Sequence, residues 1–186
     1  GDSTVKIVDN SKNFSDMGGH WSADAVTFVT SRELFEGDGN GNFMPNNTMT
    51  RAMLVTVLHR LENPPAGAGM SFDDVANGLW YTNAVSWAAE NKIVEGHNGS
   101  FNPSSNVTRE QIAAILYRYA KAIGAATPER GSLASFLDGD STSGWAKEAM
   151  SWAVGAGLFS GSDGGRLNPG GNATRAEVAT ILMRFV

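Results

Sequence analysis

Cysteine is absent from the 186 residues. Neither a disulfide framework nor a thiolate metal site is available, and the redox compartment cannot be read from sulfur usage. Basic runs are absent too: no five consecutive residues are cationic, and the formal net charge is -5. A nucleic-acid partner needs basic faces to displace counterions from phosphates, so this balance argues against one. No stretch reaches the roughly 18 to 20 apolar residues of a membrane span, and membrane insertion is not expected. The opening Gly1-Asp2-Ser3 carries no signal-peptide pattern, so any targeting segment is expected to have been removed or never to have been present. What remains is a chain with 41% hydrophobic residues and 22 glycines, enough for a packed core and compatible with a Gram-positive cell surface.

The dominant positive feature is a threefold internal repeat. Asp16 and Trp21 open a unit that closes with Thr50-Arg51-Ala52. The frame returns from Asp74 and Trp80 to Thr108-Arg109-Glu110, and from Asp138 and Trp145 to Thr174-Arg175-Ala176. Four residues after each Trp stands Ala (Ala25, Ala84, Ala149), and seven after stands an aromatic (Phe28, Trp87, Trp152). An apolar residue (Leu34, Ile93, Leu158) and then a Gly (Gly37, Gly96, Gly161) follow, before an apolar-x-Pro ending at Pro45, Pro103 or Pro169. Seven and nine residues after each Arg come Leu58, Leu116 or Leu182, then a second Arg at 60, 118 or 184. The boundaries expected are 10–62, 70–124 and 133–186. Units of this size cannot bury an apolar face alone and need their neighbours.

The periodicity is helical in both halves of each unit. The first helix carries Trp21, Ala25 and Phe28, and their equivalents, on one side. Its end is expected at Gly37, Gly96 or Gly161 as a left-handed cap. A turn-rich loop follows, through Gly39-Asn40-Gly41-Asn42, His97-Asn98-Gly99 or Asp163-Gly164-Gly165. Thr50, Thr108 and Thr174 are N-cap residues, with capping boxes completed by Gln111 and Glu177 but broken by Met53. Linkers at 63–69 and 124–128 are too short to let the units wander. The expectation is an all-α chain of three helix-loop-helix hairpins, closed into one pseudo-threefold body around a central bundle of the three second helices.

This constellation of Phe-x-Asp, His-Trp or Trp, Gly, apolar-x-Pro and Thr-Arg-Ala-Glu resembles the S-layer homology (SLH) domain, from about Phe14 to Val186. Only Thr174-Arg175-Ala176-Glu177 matches the family tetrapeptide in full, and the His20-Trp21 pair becomes Leu79-Trp80 and Gly144-Trp145. The resemblance implies an extracellular bacterial protein, anchored without covalent bonds to secondary cell-wall polysaccharide. It implies a ligand containing pyruvylated N-acetylmannosamine, seated in grooves between repeats.

Candidate ligand-binding residues follow from the register. A cation in the first turn of a helix opposes the macrodipole by a few tenths of a kcal/mol. Arg51, Arg109 and Arg175 do so at equivalent positions, and broken local rules tend to mark function. A guanidinium beside the free N–H groups of a helix start forms a compact anion site. The alternative is that these arginines pair with Asp16, Asp74 and Asp138 and staple the two ends of each unit. Trp21, Trp80 and Trp145 read first as core by their helical phase, with stacking on a pyranose face as the alternative. Gly37, Gly96 and Gly161 would permit close approach of a sugar to the backbone.

Enzymatic and metal chemistry find no support. Asp38-Gly39-Asn40-Gly41-Asn42 resembles a calcium loop, but Met49 stands where its closing Glu is required. His20, His59 and His97 occupy non-equivalent repeat positions, and no nucleophile constellation or paired carboxylates recur. No cofactor or metal is expected. A docking or self-association module of a surface layer, with Met44, Phe159 and Leu167 as contact points, is the competing class.

Overall fold

The computed structural model describes residues 9–65, 69, 72–125, 130–161 and 164–186. The chain's first three residues, much of both linkers, and Asp163 of the third turn-rich loop lie outside the described residues. Six helices carry the fold: α1 (Ala23–Ser31), α2 (Arg51–Glu62), α3 (Thr82–Glu90), α4 (Arg109–Ala122), α5 (Lys147–Gly155) and α6 (Arg175–Phe185). Short 3-10 turns at Ser15–Met17, Leu133–Ser135, Gly139–Ser141 and Gly144–Ala146 precede the first helices of units one and three. Among the described residues β structure is limited to isolated bridges, and the class is all-α.

The threonine caps work as their sequence context demands. The hydroxyls of Thr50, Thr108 and Thr174 accept the N–H of Met53, Gln111 and Glu177 at 3.2, 3.3 and 3.2 Å. Gln111 and Glu177 return the bond to their caps' N–H groups.

The ends of α1, α3 and α5 differ from expectation. Each helix stops before Gly37, Gly96 or Gly161, and the left-handed residues are Glu33 (φ 58°), Lys92 (φ 56°) and Gly157 (φ 70°). In each case the next N–H, from Leu34, Ile93 or Leu158, reaches back to Val29, Ala88 or Ala153 at 2.9, 2.8 and 2.9 Å. The left-handed residue itself donates to Thr30, Ala89 or Val154. This pair of bonds is a Schellman motif, and its required hydrophobic residue explains the recurring apolar position, which is buried in all three units. Gly37 and Gly96 instead lie against phenylalanine rings, where a Cβ would collide with Phe14 and Phe72.

The helices of one unit do not form a hairpin with each other. The closely packed pairs all cross unit boundaries: α2 with α3, α4 with α5, and α6 with α1. The ring therefore closes from the third unit onto the first. At its axis three backbone bonds form a cycle: Met49 N–H to Ala173 at 3.0 Å, Ala173 N–H to Val107 at 3.2 Å, and Val107 N–H to Met49 at 2.9 Å. At the far ends of the central helices, the Tyr119 hydroxyl donates to Glu62 at 2.8 Å and its ring lies 5.7 Å from that of Phe185. Between these two ends Leu58, Leu116 and Leu182 are fully buried. An apolar cavity of about 570 Å³ opens at the Tyr119 end, lined by Leu61, Ile123, Trp152 and Phe185 among others.

Two outcomes follow. Lys92→Gly should raise the melting temperature, by about 1 kcal/mol of stability, because a lysine in the left-handed region is strained where glycine is not; Gly157→Lys should lower it by a similar amount, and calorimetry of both variants checks the cap assignment. A fragment ending at residue 124 leaves α1 without α6 and α4 without α5. It should lack the cooperative unfolding transition of the full chain when followed by circular dichroism.

Candidate ligand grooves

Each threonine cap places its arginine at the start of a second helix, pointing into the following unit. Arg51 Nε donates to the Phe101 carbonyl at 2.9 Å, Arg109 Nε to Leu167 at 2.7 Å and Arg175 Nε to Phe43 at 2.9 Å. These acceptors are the apolar residues of the next unit's apolar-x-Pro. The guanidinium carbons sit 4.7, 4.8 and 4.6 Å from the ring centres of Phe101, Phe159 and Phe43. Burial lowers each arginine from its ordinary pKa. In Arg51 the neighbouring Arg118 adds to that effect, while Asp74 opposes it.

Asp16, Asp74 and Asp138 are occupied differently from the expected pairing. Their carboxylates accept the N–H groups of Phe43 and Met44, Phe101 and Asn102, and Leu167 and Asn168, all between 2.7 and 2.9 Å. Each Asp therefore holds its own unit's loop, and the preceding unit's Arg grips the carbonyl of that same loop. The staple runs between units: Arg51 feels Asp74, Arg109 feels Asp138 and Arg175 feels Asp16, without a direct ion pair.

The first helical N–H groups of all three second helices are already engaged. Arg51 and Ala52 N–H donate to Ser105 and Pro103, Arg109 and Glu110 to Gly171 and Pro169, and Arg175 and Ala176 to Asn47 and Pro45. With the third N–H on the threonine cap, the usual anion nest of a helix N-terminus is consumed by the fold. Negative charge in the grooves must be met by side chains.

Three equivalent grooves are built around these arginines. Groove A has Arg175, Gly37, Met53, Arg60 and Trp80. Groove B has Arg51, Gly96, Gln111, Arg118 and Trp145, in a cavity of about 510 Å³. Groove C has Arg109, Gly161, Glu177, Arg184 and Trp21. In every case the inner Arg comes from one unit, the Gly and the outer Arg from the next, and the Trp from the one after that. Arg60, Arg118 and Arg184 are not among the site residues expected from the sequence, although each stands nine residues after the Thr-Arg arginine of its own unit.

The tryptophans overturn the core reading. Trp21, Trp80 and Trp145 are 65, 61 and 59% exposed. α1 and α3 start two residues after their Trp, and Trp145 sits in a 3-10 turn, so the helical phase that made them look buried does not apply to them. The buried tryptophans are Trp87 and Trp152, seven residues further on. Of the apolar contact points expected for a docking module, Phe159 and Leu167 are buried and Met44 is exposed.

The S-layer homology domain profile matches residues 13–52, 71–113 and 135–179, more than half of the chain. The chain belongs to the S-layer homology domain family. Similar proteins include an amylopullulanase of Thermoanaerobacterium thermosulfurigenes, 33% identical over 92% of this chain and 9% of that protein. The exoglucanase XynX of Acetivibrio thermocellus is 32% identical over 95% of the chain and 16% of its own length. The surface-layer 125 kDa protein of Lysinibacillus sphaericus is 30% identical over 94% and 15%. The chain thus spans a small fraction of these relatives. The S-layer homology triplet is a binding module of the bacterial cell surface, extracellular and associated with the cell wall.

The Asp carboxyls give the site a pH signature. Desolvation raises them, but the backbone donors outweigh it and hold all three below the ordinary value. A depressed folded value contributes stability that is complete above the unfolded pKa of about 3.9 and is lost as pH falls through the folded value. The melting temperature of this S-layer homology triplet should therefore decline below about pH 4, and Asp74→Asn should make that decline shallower while lowering stability at neutral pH.

Proposed function

We propose that the chain anchors its parent protein to the bacterial cell wall by holding an anionic, pyruvylated secondary cell-wall polysaccharide in grooves A, B and C. The observation that carries this reading is the threefold recurrence of a partly or fully buried arginine, an outer arginine and an exposed tryptophan around each groove. A guanidinium meets a carboxylate with paired charge-assisted hydrogen bonds. An exposed indole offers a flat apolar face to the C–H side of a pyranose. Gly37, Gly96 and Gly161 line the grooves without a side chain, and in this reading the sugar approaches the backbone there. Asp16, Asp74 and Asp138 act by positioning the loop carbonyls that hold the inner arginines.

Because Arg51, Arg109 and Arg175 also tie neighbouring units together, their removal should cost stability as well as binding. The cleaner variants are at the outer positions. Trp145→Ala and Arg118→Ala should each weaken binding of pyruvylated N-acetylmannosamine to groove B about tenfold, on the scale of about 1.4 kcal/mol for one stacking or ionic contact, with the melting temperature almost unchanged. Isothermal titration against the purified saccharide measures this, and sedimentation with cell-wall sacculi before and after acid removal of the polysaccharide tests the source. Equal sedimentation with stripped sacculi, or unaltered saccharide affinity in both variants, would defeat the proposal.

A further inference from the structure

The three exposed tryptophans stand at equivalent repeat positions, but the turns that carry them are not built alike. Two residues before Trp21 and Trp80 come Gly19 and Gly78, both left-handed at φ 70° and 80°. The corresponding residue before Trp145 is Ser143, with φ -56° and ψ 141°. Units one and two hold these turns with bonds of their own. His20 Nδ1 and the Ser22 hydroxyl oxygen are 2.8 Å apart in the first. In the second, the Thr82 hydroxyl accepts the Leu79 N–H at 3.1 Å and donates to the Ala76 carbonyl at 2.7 Å. A ring also lies against each indole: His20 against Trp21 at 5.5 Å and Tyr81 against Trp80 at 4.9 Å. Among the described residues no ring lies against Trp145.

The turn of Trp145 is held instead from another unit. The Glu110 carboxylate, in the first turn of α4, accepts the Ser143 N–H at 3.0 Å and the Ser143 hydroxyl at 2.9 Å. Ser143 opens the 3-10 turn Gly144–Ala146, and its own carbonyl accepts the Ala146 N–H at 2.9 Å, so the clamp and the turn that presents the indole share one residue. Glu110 is 9% exposed. A carboxylate buried that far is costly unless hydrogen-bonded, and bonds to an ionised acceptor are the stronger kind. Ala52 and Ala176 fill the same position in α2 and α6. Their backbone N–H groups bond the next unit's proline carbonyl as that of Glu110 does, so unit packing proceeds without the acid. Glu110 lines none of the three grooves, whereas Gln111 and Arg118 of the same helix line groove B together with Trp145.

We infer that Glu110 is a positioning residue that fixes the Trp145 indole over groove B from across the boundary between units two and three. The role in binding rests on the groove reading above; the carboxylate acts through Ser143 and meets no saccharide. Glutamine can make the same two contacts without charge, its carbonyl accepting the N–H and its amide donating to the hydroxyl oxygen. Alanine can make neither.

The indole N–H resonances of the full chain, assigned with single Trp→Phe variants, read the clamp directly. In Glu110→Ala, with amide dispersion confirming the fold, the Trp145 resonance should shift and its indole order parameter should fall, while Trp21 and Trp80 stay as in the wild type. Glu110→Gln should restore the wild-type signature. Titration with pyruvylated N-acetylmannosamine, followed at the Gly96 amide of groove B, should show about threefold weaker binding in Glu110→Ala, on the scale of one side chain newly immobilised on binding. Adding Glu110→Ala to Trp145→Ala should bring no further loss. An unchanged Trp145 in Glu110→Ala, a glutamine variant that behaves like the alanine one, or full additivity of the two binding losses overturns the inference. If the wild-type chain binds no saccharide at millimolar concentration while Trp145 still loosens in Glu110→Ala, the groove reading falls and the clamp stands.

Discussion

No unit of this chain can bury its own two helices against each other, and that constraint organises the molecule. α2 finds its partner in the second unit, α4 in the third and α6 in the first. Closure of the ring is thus a condition for every helix pair, and the backbone cycle through Met49, Val107 and Ala173 marks the axis around which it closes. The grooves inherit the same arrangement. Because the chain must reach across each boundary to pack, the walls of every cavity come from three places in the sequence.

The inner arginines show how packing and recognition share a side chain. A cation at a helix start costs a few tenths of a kcal/mol against the macrodipole. A hydrogen bond from a charged donor to a carbonyl is worth about 1.5 to 3 kcal/mol, and each of Arg51, Arg109 and Arg175 makes at least one such bond to the next unit. The staple alone more than repays the unfavourable placement. A broken helix-start rule is therefore weak support for a ligand here; the three exposed tryptophans, which stand outside the core, carry more of that weight. The first three helical N–H groups of each second helix, which would ordinarily attract an anion, are engaged by loop carbonyls and threonine caps.

Much of this was legible before any coordinates. The triple register, the threonine caps and the buried faces of α2, α4 and α6 follow from residue type and spacing. The pairing of helices does not, because an identical spacing in three units is satisfied equally by contacts within a unit or between units. The caps of α1 and α3 were hidden because Glu33 and Lys92, rather than glycine, adopt the left-handed conformation; only Gly157 advertises it. Trp21, Trp80 and Trp145 kept the right interval to their alanines while standing outside the helix that gives such an interval meaning. Glu110 was visible as an acid at a helix start, and its partner, Ser143, was out of reach of any local rule.

The cyclic sharing of walls fixes the copy number. A fourth repeat added by duplication would find no vacant helix to dock on, and loss of one would strand a helix at each of the two new borders. Each repeat lends an arginine to one cavity, a glycine and a second arginine to another, and a tryptophan to the remaining one. Drift within a single copy is consequently felt at all three sites, whereas a single residue such as Met53, which faces only one of them, diverges without touching the others.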